Sequence, residues 1–102
     1  MSKRRAECSC GALAVTCEGD PIRVSVCHCT ACQRRTGAPF GQQARWAAEH
    51  VTIEGASTAF SRAGDSGGRV TFHFCATCGA RVYFTVVRMP GMIAVRVGAF
   101  AD

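Results

Sequence analysis

The sequence has no long hydrophobic run. No stretch approaches the ~18 apolar residues of a membrane-spanning helix, so we expect a protein without a membrane anchor. Residues 3–5 are basic, as at the start of a signal peptide, but no apolar segment follows them. We therefore expect a cytoplasmic protein, in which thiols stay reduced.

Amphipathic helical periodicity is also missing. No long segment repeats its apolar residues every three to four positions, whereas several short stretches alternate apolar and polar residues. This pattern predicts an all-β fold in which antiparallel sheets pack against each other. The 102 residues contain no internal repeat and no linker, which indicates one domain over residues 7–102. Residues 1–6 are expected to form a flexible N-terminal tail.

The alternating stretches place the individual strands. Residues 12–17 and 22–27 are expected to form a hairpin around the turn at Gly19-Asp20-Pro21. Residues 33–39 look like a loop with at most a short helical turn, and residues 63–68 look like a flexible loop. Further strands are predicted at residues 40–46, 51–53, 58–62, 69–74, 81–87 and 92–97.

The positive charge is not concentrated in one segment. The formal net charge is +5, and arginine greatly outnumbers lysine, as in many nucleic-acid-binding proteins. The arginines are scattered, however, and seven metal-bound thiolates with two Zn²⁺ ions would reduce the charge from +5 to about +2. We do not expect nucleic acid to be the partner.

Cysteine is abundant, with eight residues in a chain of 102. A disulfide framework is one interpretation of such a content. In a reducing compartment, closely spaced cysteines more often bind metal, and a metal would add stability to a small domain. The sequence therefore favours metal binding.

Three of the cysteines, Cys27, Cys29 and Cys32, lie within one short segment. Cys27 and Cys29 would share a face if both are in a strand, and Cys29 forms a CxxC with Cys32. A closed zinc site needs one further ligand, whereas an open position is typical of a functional site. The candidates for the remaining position are Cys17, His28, His50, His73, a water molecule and a substrate, and we expect His28 to face away.

Two further pairs lie near the two ends of the chain. Cys8 and Cys10 would share a face of a strand, and Cys75 and Cys78 form a CxxC knuckle. Gly79 after that knuckle permits the positive φ that turns backbone amides toward the sulfurs. Together the two pairs predict a closed structural zinc site, with an iron–sulfur site as the alternative.

The three cysteine motifs, in this order, resemble a known family. CxCG at residues 8–11, CHCxxC at 27–32 and FCxxCG at 74–79 are similar to the motifs of the glutathione-dependent formaldehyde-activating enzyme family, also called the Gfa or centromere-protein-V-like family. Arg-Arg-Thr-Gly-Ala at residues 34–38 resembles the segment that follows the central cluster in that family. The similarity extends from about residue 7 to residue 100, nearly the whole chain.

The resemblance implies a small Mss4-like fold that two zinc ions cross-link. It assigns the structural zinc to Cys8, Cys10, Cys75 and Cys78, and the catalytic zinc to Cys27, Cys29 and Cys32. The implied enzyme is a carbon–sulfur lyase that joins formaldehyde and glutathione in S-(hydroxymethyl)glutathione. Arg34 and Arg35 would bind the carboxylates of glutathione or of a similar small thiol.

Other functions stay open at this point. A zinc-stabilised binding or interaction module without catalysis is the main alternative, in which both metals are structural. Zinc storage or thiol-based redox sensing is another, in which the three-cysteine site is labile. The oligomeric state is open as well, including a homo-oligomer.

Overall fold

Nine β-strands and one α-helix make up most of the part of the chain that the computed structural model describes, residues 2–63 and 68–101. Two short 3-10 helices, Ala48–His50 and Val97–Phe100, complete the secondary structure of these residues. The helix α1 spans Thr30–Thr36. The strands are β1 Lys3–Glu7, β2 Ala14–Glu18, β3 Arg23–Cys27, β4 Gly41–Ala47, β5 Val51–Glu54, β6 Thr58–Ala63, β7 Arg69–Phe74, β8 Arg81–Val86 and β9 Met92–Arg96.

The smaller sheet has three antiparallel strands in the order β1-β2-β5. Strand β1 occupies residues for which the sequence predicted a flexible tail, and this expectation is corrected. Lys3 pairs with Glu18 and Ala6 with Val15, and Ala6 is fully buried. The remaining β1 side chains are exposed, so the sequence carries little hydrophobic signal for this edge strand.

The larger sheet has six antiparallel strands in the order β3-β4-β9-β8-β7-β6. The predicted hairpin of residues 12–17 with residues 22–27 is wrong, because β2 and β3 belong to different sheets. Strand β2 pairs with β1 and β5, whereas β3 pairs with β4. The remaining predicted strands are present with small shifts of their ends, and the predicted all-β fold of antiparallel sheets is confirmed.

The main core lies between the two sheets. Leu13, Val15 and Cys17 from the smaller sheet and its turn pack in one cluster with Val82 and Val95 from the larger sheet. Trp46 joins this cluster. Its indole Nε1 donates to the carbonyl of Gly19 at 3.1 Å, which satisfies the polar atom of a nearly buried side chain. A second, smaller cluster contains Phe72 and Phe84.

Helix α1 is the main element that the sequence did not predict. It covers Thr30–Thr36 and ends at Gly37, whose φ of 70° places it in the left-handed region. The Gly37 N–H donates to the carbonyl of Gln33 at 2.8 Å. The predicted flexible loop at residues 63–68 lies largely outside the described residues. Within the described residues, no helix has the length and apolar character needed to cross a membrane.

Candidate metal centres

The first cysteine cluster joins two turns that belong to different sheets. Cys8 follows β1, and its N–H donates to the carbonyl of Leu13 at 2.9 Å, which closes a tight turn. Gly11 continues this turn with a φ of 80°. The sequence predicted a strand here, and the turn corrects this expectation while it still brings Cys8 and Cys10 together, with their sulfur atoms 3.6 Å apart.

The second half of this cluster is the knuckle between β7 and β8. The Cys75 N–H donates to the carbonyl of Ala80 at 3.0 Å, and the Gly79 N–H donates to the carbonyl of Cys75 at 2.8 Å. Gly79 has a φ of 78°, so its predicted positive φ is confirmed. The knuckle therefore has the backbone geometry that turns Cys75 and Cys78 toward a common centre.

The four sulfur atoms are arranged for one metal ion. The sulfurs of Cys8, Cys10, Cys75 and Cys78 all lie within 4.8 Å of one another. Tetrahedral Zn–S bonds place sulfurs about 3.8 Å apart, and the Cys10 and Cys75 sulfurs are 3.6 Å apart. The donor set and the spacing therefore fit a closed tetrahedral site.

Backbone amides favour the thiolate form at this cluster, which is the form that binds metal. The Leu13 N–H donates to the Cys8 sulfur at 3.3 Å and lowers the pKa of Cys8. The backbone of Ala80 hydrogen-bonds to Cys78 and, as the largest cause, lowers the pKa of that thiol to about 6. A backbone hydrogen bond from Ala12 also acts to lower the pKa of Cys10, but the Cys75 and Cys8 side chains outweigh it and raise that pKa to about 11. Within this cluster the backbone therefore favours the thiolate most clearly at Cys8 and Cys78.

The second cluster contains three cysteines at the junction of β3 and α1. Cys27 ends β3, Cys29 caps the N-terminus of α1, and Cys32 is buried in its first turn. The expectation that one strand holds both Cys27 and Cys29 is corrected, because the chain leaves the strand at Cys27. The three sulfurs nevertheless lie within 4.8 Å of one another.

Helix α1 positions the last two of these thiols. The Cys32 N–H donates to the Cys29 sulfur at 3.3 Å, in place of the usual N-cap oxygen. The two sulfurs are 3.2 Å apart. Hydrogen bonds from the side chain and backbone of Cys32 lower the pKa of Cys29, whereas burial raises the pKa of Cys32 to about 11. Cys29 is therefore the thiol that loses its proton more readily.

The four protein residues considered as a further ligand do not join the three cysteines within the described part of the chain. Cys17 is buried in the main core, where burial raises the pKa of its thiol to about 11. His28 is exposed, with its ring 5.9 Å from the ring of Phe40. His73 bonds to Ser57, and His50 lies in the first 3-10 helix.

The three-cysteine cluster opens into a cavity of about 320 Å³ with a cationic wall. The rings of Phe72 and Phe84, 5.6 Å apart, form the apolar part of its lining together with Val70 and Val86. Neither a carboxylate nor a histidine lines it among the described residues. Four arginines line the cavity: Arg35, Arg45, Arg62 and Arg96.

The two arginines predicted from the sequence differ in their positions. Arg35 is half-buried, lines the three-cysteine cavity and stacks over the Phe72 ring at 4.7 Å. Arg34 is exposed and lines an adjoining cavity of about 460 Å³ with Phe60 and Phe74. Of this pair, Arg35 is therefore the one placed beside the thiols.

Sequence reasoning missed Arg96, a buried arginine in β9. Its Nη1 donates to the Gln43 Oε1 at 3.4 Å, while its Nη2 is buried without a partner. Burial lowers the pKa of Arg96 to about 9, which leaves the guanidinium charged at neutral pH. The available signal was a charged residue within an apolar alternating strand, Met-Ile-Ala-Val-Arg-Val at residues 92–97.

A larger cavity of about 650 Å³ lies beside Arg35 and Arg96. Among the described residues its lining includes one cysteine, Cys8, one carboxylate residue, Glu7, and a third arginine, Arg81. The smaller cavity contains all three thiols of the second cluster, and for this chemical reason it is the candidate active site. The larger cavity offers space for a ligand that extends past the two arginines.

The fold and the two clusters together define a class: small all-β proteins with cysteine sites that can hold metal ions. The model of the family described as glutathione-dependent formaldehyde-activating enzyme matches residues 3–102, and the chain belongs to this family. A search of curated proteins finds no match.

A solved structure shares the fold. The chain is similar to the crystal structure of a Rhodobacter sphaeroides protein, with 22% sequence identity and a TM-score of 0.72. The similarity covers 93% of this chain and 85% of that chain. At this identity the likeness concerns the fold alone.

Proposed function

We propose that this protein is a zinc-dependent carbon–sulfur lyase that acts on the adduct of formaldehyde with glutathione or a similar small thiol. The observation that carries the proposal is the three-cysteine cluster at the wall of a cavity lined by four arginines. Membership of the formaldehyde-activating family supports the same reaction class. A cytoplasmic location, where such a thiol is abundant, is part of this proposal.

The donor set supports zinc as the metal, with two ions per chain. Cys8, Cys10, Cys75 and Cys78 would hold the structural ion, and the three-cysteine cluster would hold the other. An iron–sulfur cluster spreads its thiolates over several iron atoms, whereas the sulfurs of each cluster here lie within 4.8 Å of one another, close enough to bind a single ion. When bound at the three-cysteine cluster, zinc supplies a Lewis acid that lowers the pKa of a thiol.

The reaction needs neither oxidation nor reduction. The sulfur of the thiol forms a bond to the formaldehyde carbon, the C=O π bond opens, and the oxygen takes up the proton released by the thiol. The reverse step breaks the same C–S bond. We assign this proton transfer to water, as no carboxylate or histidine lines the cavity among the described residues.

The cationic wall fits an anionic substrate. Glutathione carries two carboxylates, and guanidinium groups bind carboxylates with paired, charge-assisted hydrogen bonds. Arg35 lies beside the three thiols and can receive a carboxylate there. Arg34 lines the adjoining cavity, where it can contact a more distant part of the substrate.

The first test replaces a ligand of the second cluster. Cys29→Ser is expected to reduce the rate of S-(hydroxymethyl)glutathione formation by at least about 100-fold. The fold should remain, because the four-cysteine cluster and the main core are intact. NMR exchange spectroscopy of glutathione with formaldehyde measures the rate above the uncatalysed background, and circular dichroism reports the fold.

The matched control is Cys17→Ala, which removes a buried cysteine that belongs to neither cluster. This variant is expected to keep the wild-type rate at a temperature where it is folded. A Cys29→Ser protein with unchanged activity would contradict the proposed function.

A second candidate function is a zinc-stabilised interaction module. Strand β3 lies at an edge of the larger sheet. Its Val24 and Val26, with Ile22 just before the strand, form an exposed apolar row at 54%, 45% and 65% exposure. Exposed apolar rows on edge strands favour association, including association of two copies of the chain. The Cys29→Ser experiment separates the candidates, since an interaction module has no turnover to lose.

A further inference from the structure

The three-cysteine cavity contains two arginines that approach each other without a carboxylate between them. Arg35 and Arg96 meet above Gly41. A Cβ atom at Gly41 would lie 3.2 Å from the Arg35 Nη2 and 3.3 Å from the Arg96 Nη1. Within residues 2–63 and 68–101, neither guanidinium has a carboxylate oxygen within ion-pair distance.

Several N–H groups of these two arginines are buried and unused. Arg35 Nε and Nη1 and Arg96 Nη2 have no hydrogen-bond partner among the described residues. Arg96 as a whole is 8% exposed. Buried donors without an acceptor destabilise a fold by roughly 1–3 kcal/mol each, so native proteins rarely leave them without a ligand or another partner.

The other two arginines of the cavity are different in this respect. Arg45 Nη1 donates to the Ser25 hydroxyl at 3.0 Å, and Arg62 Nη1 donates to the carbonyl of Ala63 at 3.2 Å. Neither appears among the buried groups that lack an acceptor. In the described part of the chain, the buried N–H groups that lack an acceptor in this cavity therefore belong to Arg35 and Arg96.

Aromatic faces hold the two guanidinium groups in place. Arg35 stacks over the Phe72 ring at 4.7 Å, and Arg96 stacks over the Phe84 ring at 4.5 Å. A guanidinium over the face of an aromatic ring is attracted to the ring electrostatically, and this contact needs none of its N–H groups as hydrogen-bond donors. The Arg35 side chain also acts on the Cys32 thiol, where it opposes the effect of burial and acts to lower the pKa of that thiol. The Arg35 Nε and Nη1 and the Arg96 Nη2 are the atoms left without an acceptor among the described residues.

We propose that Arg35 and Arg96 together form a binding site for one carboxylate group, next to the three-cysteine cluster. Two guanidinium groups with unused in-plane donors match the two oxygens of a carboxylate. Because the same two residues also line the larger cavity, a ligand held here can place one end at the thiols and the other in that larger space.

The site defines a substrate class. A thiol that carries a carboxylate is selected over a neutral thiol, since a neutral molecule would leave the buried donors unpaired. This second statement rests on the proposed function, whereas carboxylate binding by Arg35 and Arg96 does not.

The test uses S-methylglutathione, which keeps both carboxylates but has no free thiol. Calorimetry with the zinc-loaded protein measures its binding to the wild type and to Arg96→Gln and Arg35→Gln. Each substitution is expected to weaken binding at least about tenfold, the size expected for a lost charge-assisted pair. Arg69→Gln, which removes an exposed arginine of β7, is the charge-matched control and should change binding less than about twofold.

A second pair of measurements keeps the test independent of folding. Gly41→Ala preserves every charge but places a methyl group against both guanidinium groups, and it is expected to weaken binding severalfold. The dimethyl ester of S-methylglutathione, which has no carboxylate, is expected to lose at least about tenfold in affinity for the wild type.

The outcomes separate this inference from the proposed function. Equal binding of the ester and the acid, or of the wild type and both arginine variants, would overturn the carboxylate site. Inorganic phosphate that binds as tightly as S-methylglutathione would also overturn it, in favour of a general anion site. If S-methylglutathione binds as expected while formaldehyde turnover is absent, the carboxylate site stands and the proposed function fails.

Discussion

At the scale of single residues, His73 shows how the fold treats a polar side chain that it partly buries. Its Nδ1 lies 2.9 Å from the Ser57 hydroxyl, and its ring stacks on Tyr83 with centroids 4.4 Å apart and an interplanar angle of 6°. Burial lowers the pKa of His73 below its usual value of 6.5. The folded state therefore prefers the neutral imidazole.

His73 is predicted to make stability depend on pH in a definite direction. The unfolded chain takes up this proton near pH 6.5, while the folded chain resists it, so the free energy of unfolding falls as pH drops through 6.5 toward the lowered folded pKa. His73→Gln, which retains a hydrogen-bonding group for Ser57, should lose less stability between pH 7.5 and 5.5 (~2 units) than the wild type. Urea unfolding at each pH measures this difference.

Metal release at low pH lowers the free energy of unfolding of every variant. The quantity to compare is therefore the slope of the free energy of unfolding against pH. His28→Gln, which changes an exposed histidine, is the control and should keep the wild-type slope. If His73→Gln and the wild type lose stability equally, the argument about His73 is wrong.

Residue spacing predicted the two cysteine groups but not the arginine pair. Ligands of one metal ion recur at short separations along the chain, so the CxC and CxxC motifs are visible in the sequence. Arg35 and Arg96 are far apart in sequence. They meet because α1, which carries Arg35, leads into β4, and β4 pairs with β9, which carries Arg96, while Gly41 leaves space for both side chains. The alternation of residues along a strand shows on which face of the sheet a side chain lies, but it does not show which residue lies beside it on the next strand.

At the scale of elements, alternation was sufficient for most strands and insufficient at three places. Helix α1 has seven residues, too few to show a helical period, and its N-cap is a cysteine. Strand β1 exposes most of its side chains and therefore resembled a tail. The predicted pairing of β2 with β3 is wrong because the chain changes sheets between these strands. Packing of the two sheets determines this change, and the turn at residues 19–21 does not reveal it.

The connection from β5 to β6 also changes sheets, and it is predicted to depend on Gly55. This residue has a φ of 94°, and a Cβ atom there would overlap the carbonyl oxygen of Ala12. Gly55→Ala should therefore combine backbone strain with a clash against rigid backbone, and destabilise the protein by at least about 3 kcal/mol. Urea unfolding of the zinc-loaded protein measures the change.

Gly91→Ala is the matched control for this prediction. Gly91 also has a positive φ, 76°, but a Cβ atom there would meet nothing within 4 Å. Its substitution should cost about 1 kcal/mol from backbone strain alone. Equal effects of the two substitutions would show that the contact with Ala12 is unimportant.

At the scale of the whole molecule, the four-cysteine cluster links the two sheets. Cys8 and Cys10 lie in the turn after β1 of the smaller sheet, and Cys75 and Cys78 lie between β7 and β8 of the larger sheet. The three-cysteine cluster, by contrast, lies at the junction of β3 with α1. Its ligands come from one strand of the larger sheet and the helix that follows it, so it does not link the two sheets. The two sites therefore should contribute unequally to stability.

Stepwise removal of metal is predicted to separate the two sites. The wild type should bind two zinc ions, and the site with three protein ligands should release its ion first to a chelator, with little change in circular dichroism. Release of the second ion should coincide with cooperative unfolding, because the link between the sheets is lost. A colorimetric chelator, followed together with circular dichroism, records both steps.

Two variants test the assignment of these steps. Cys29→Ser should bind one ion, lack the first step and stay folded, whereas Cys78→Ser should lose several kcal/mol of stability, about the effect of losing a structural metal. Both variants remove one thiol from one cluster, so the comparison isolates the position of the cluster in the fold. Unfolding at the first step of the wild type, or a Cys78→Ser protein as stable as Cys29→Ser, would mean that the junction of β3 and α1 holds the molecule together instead.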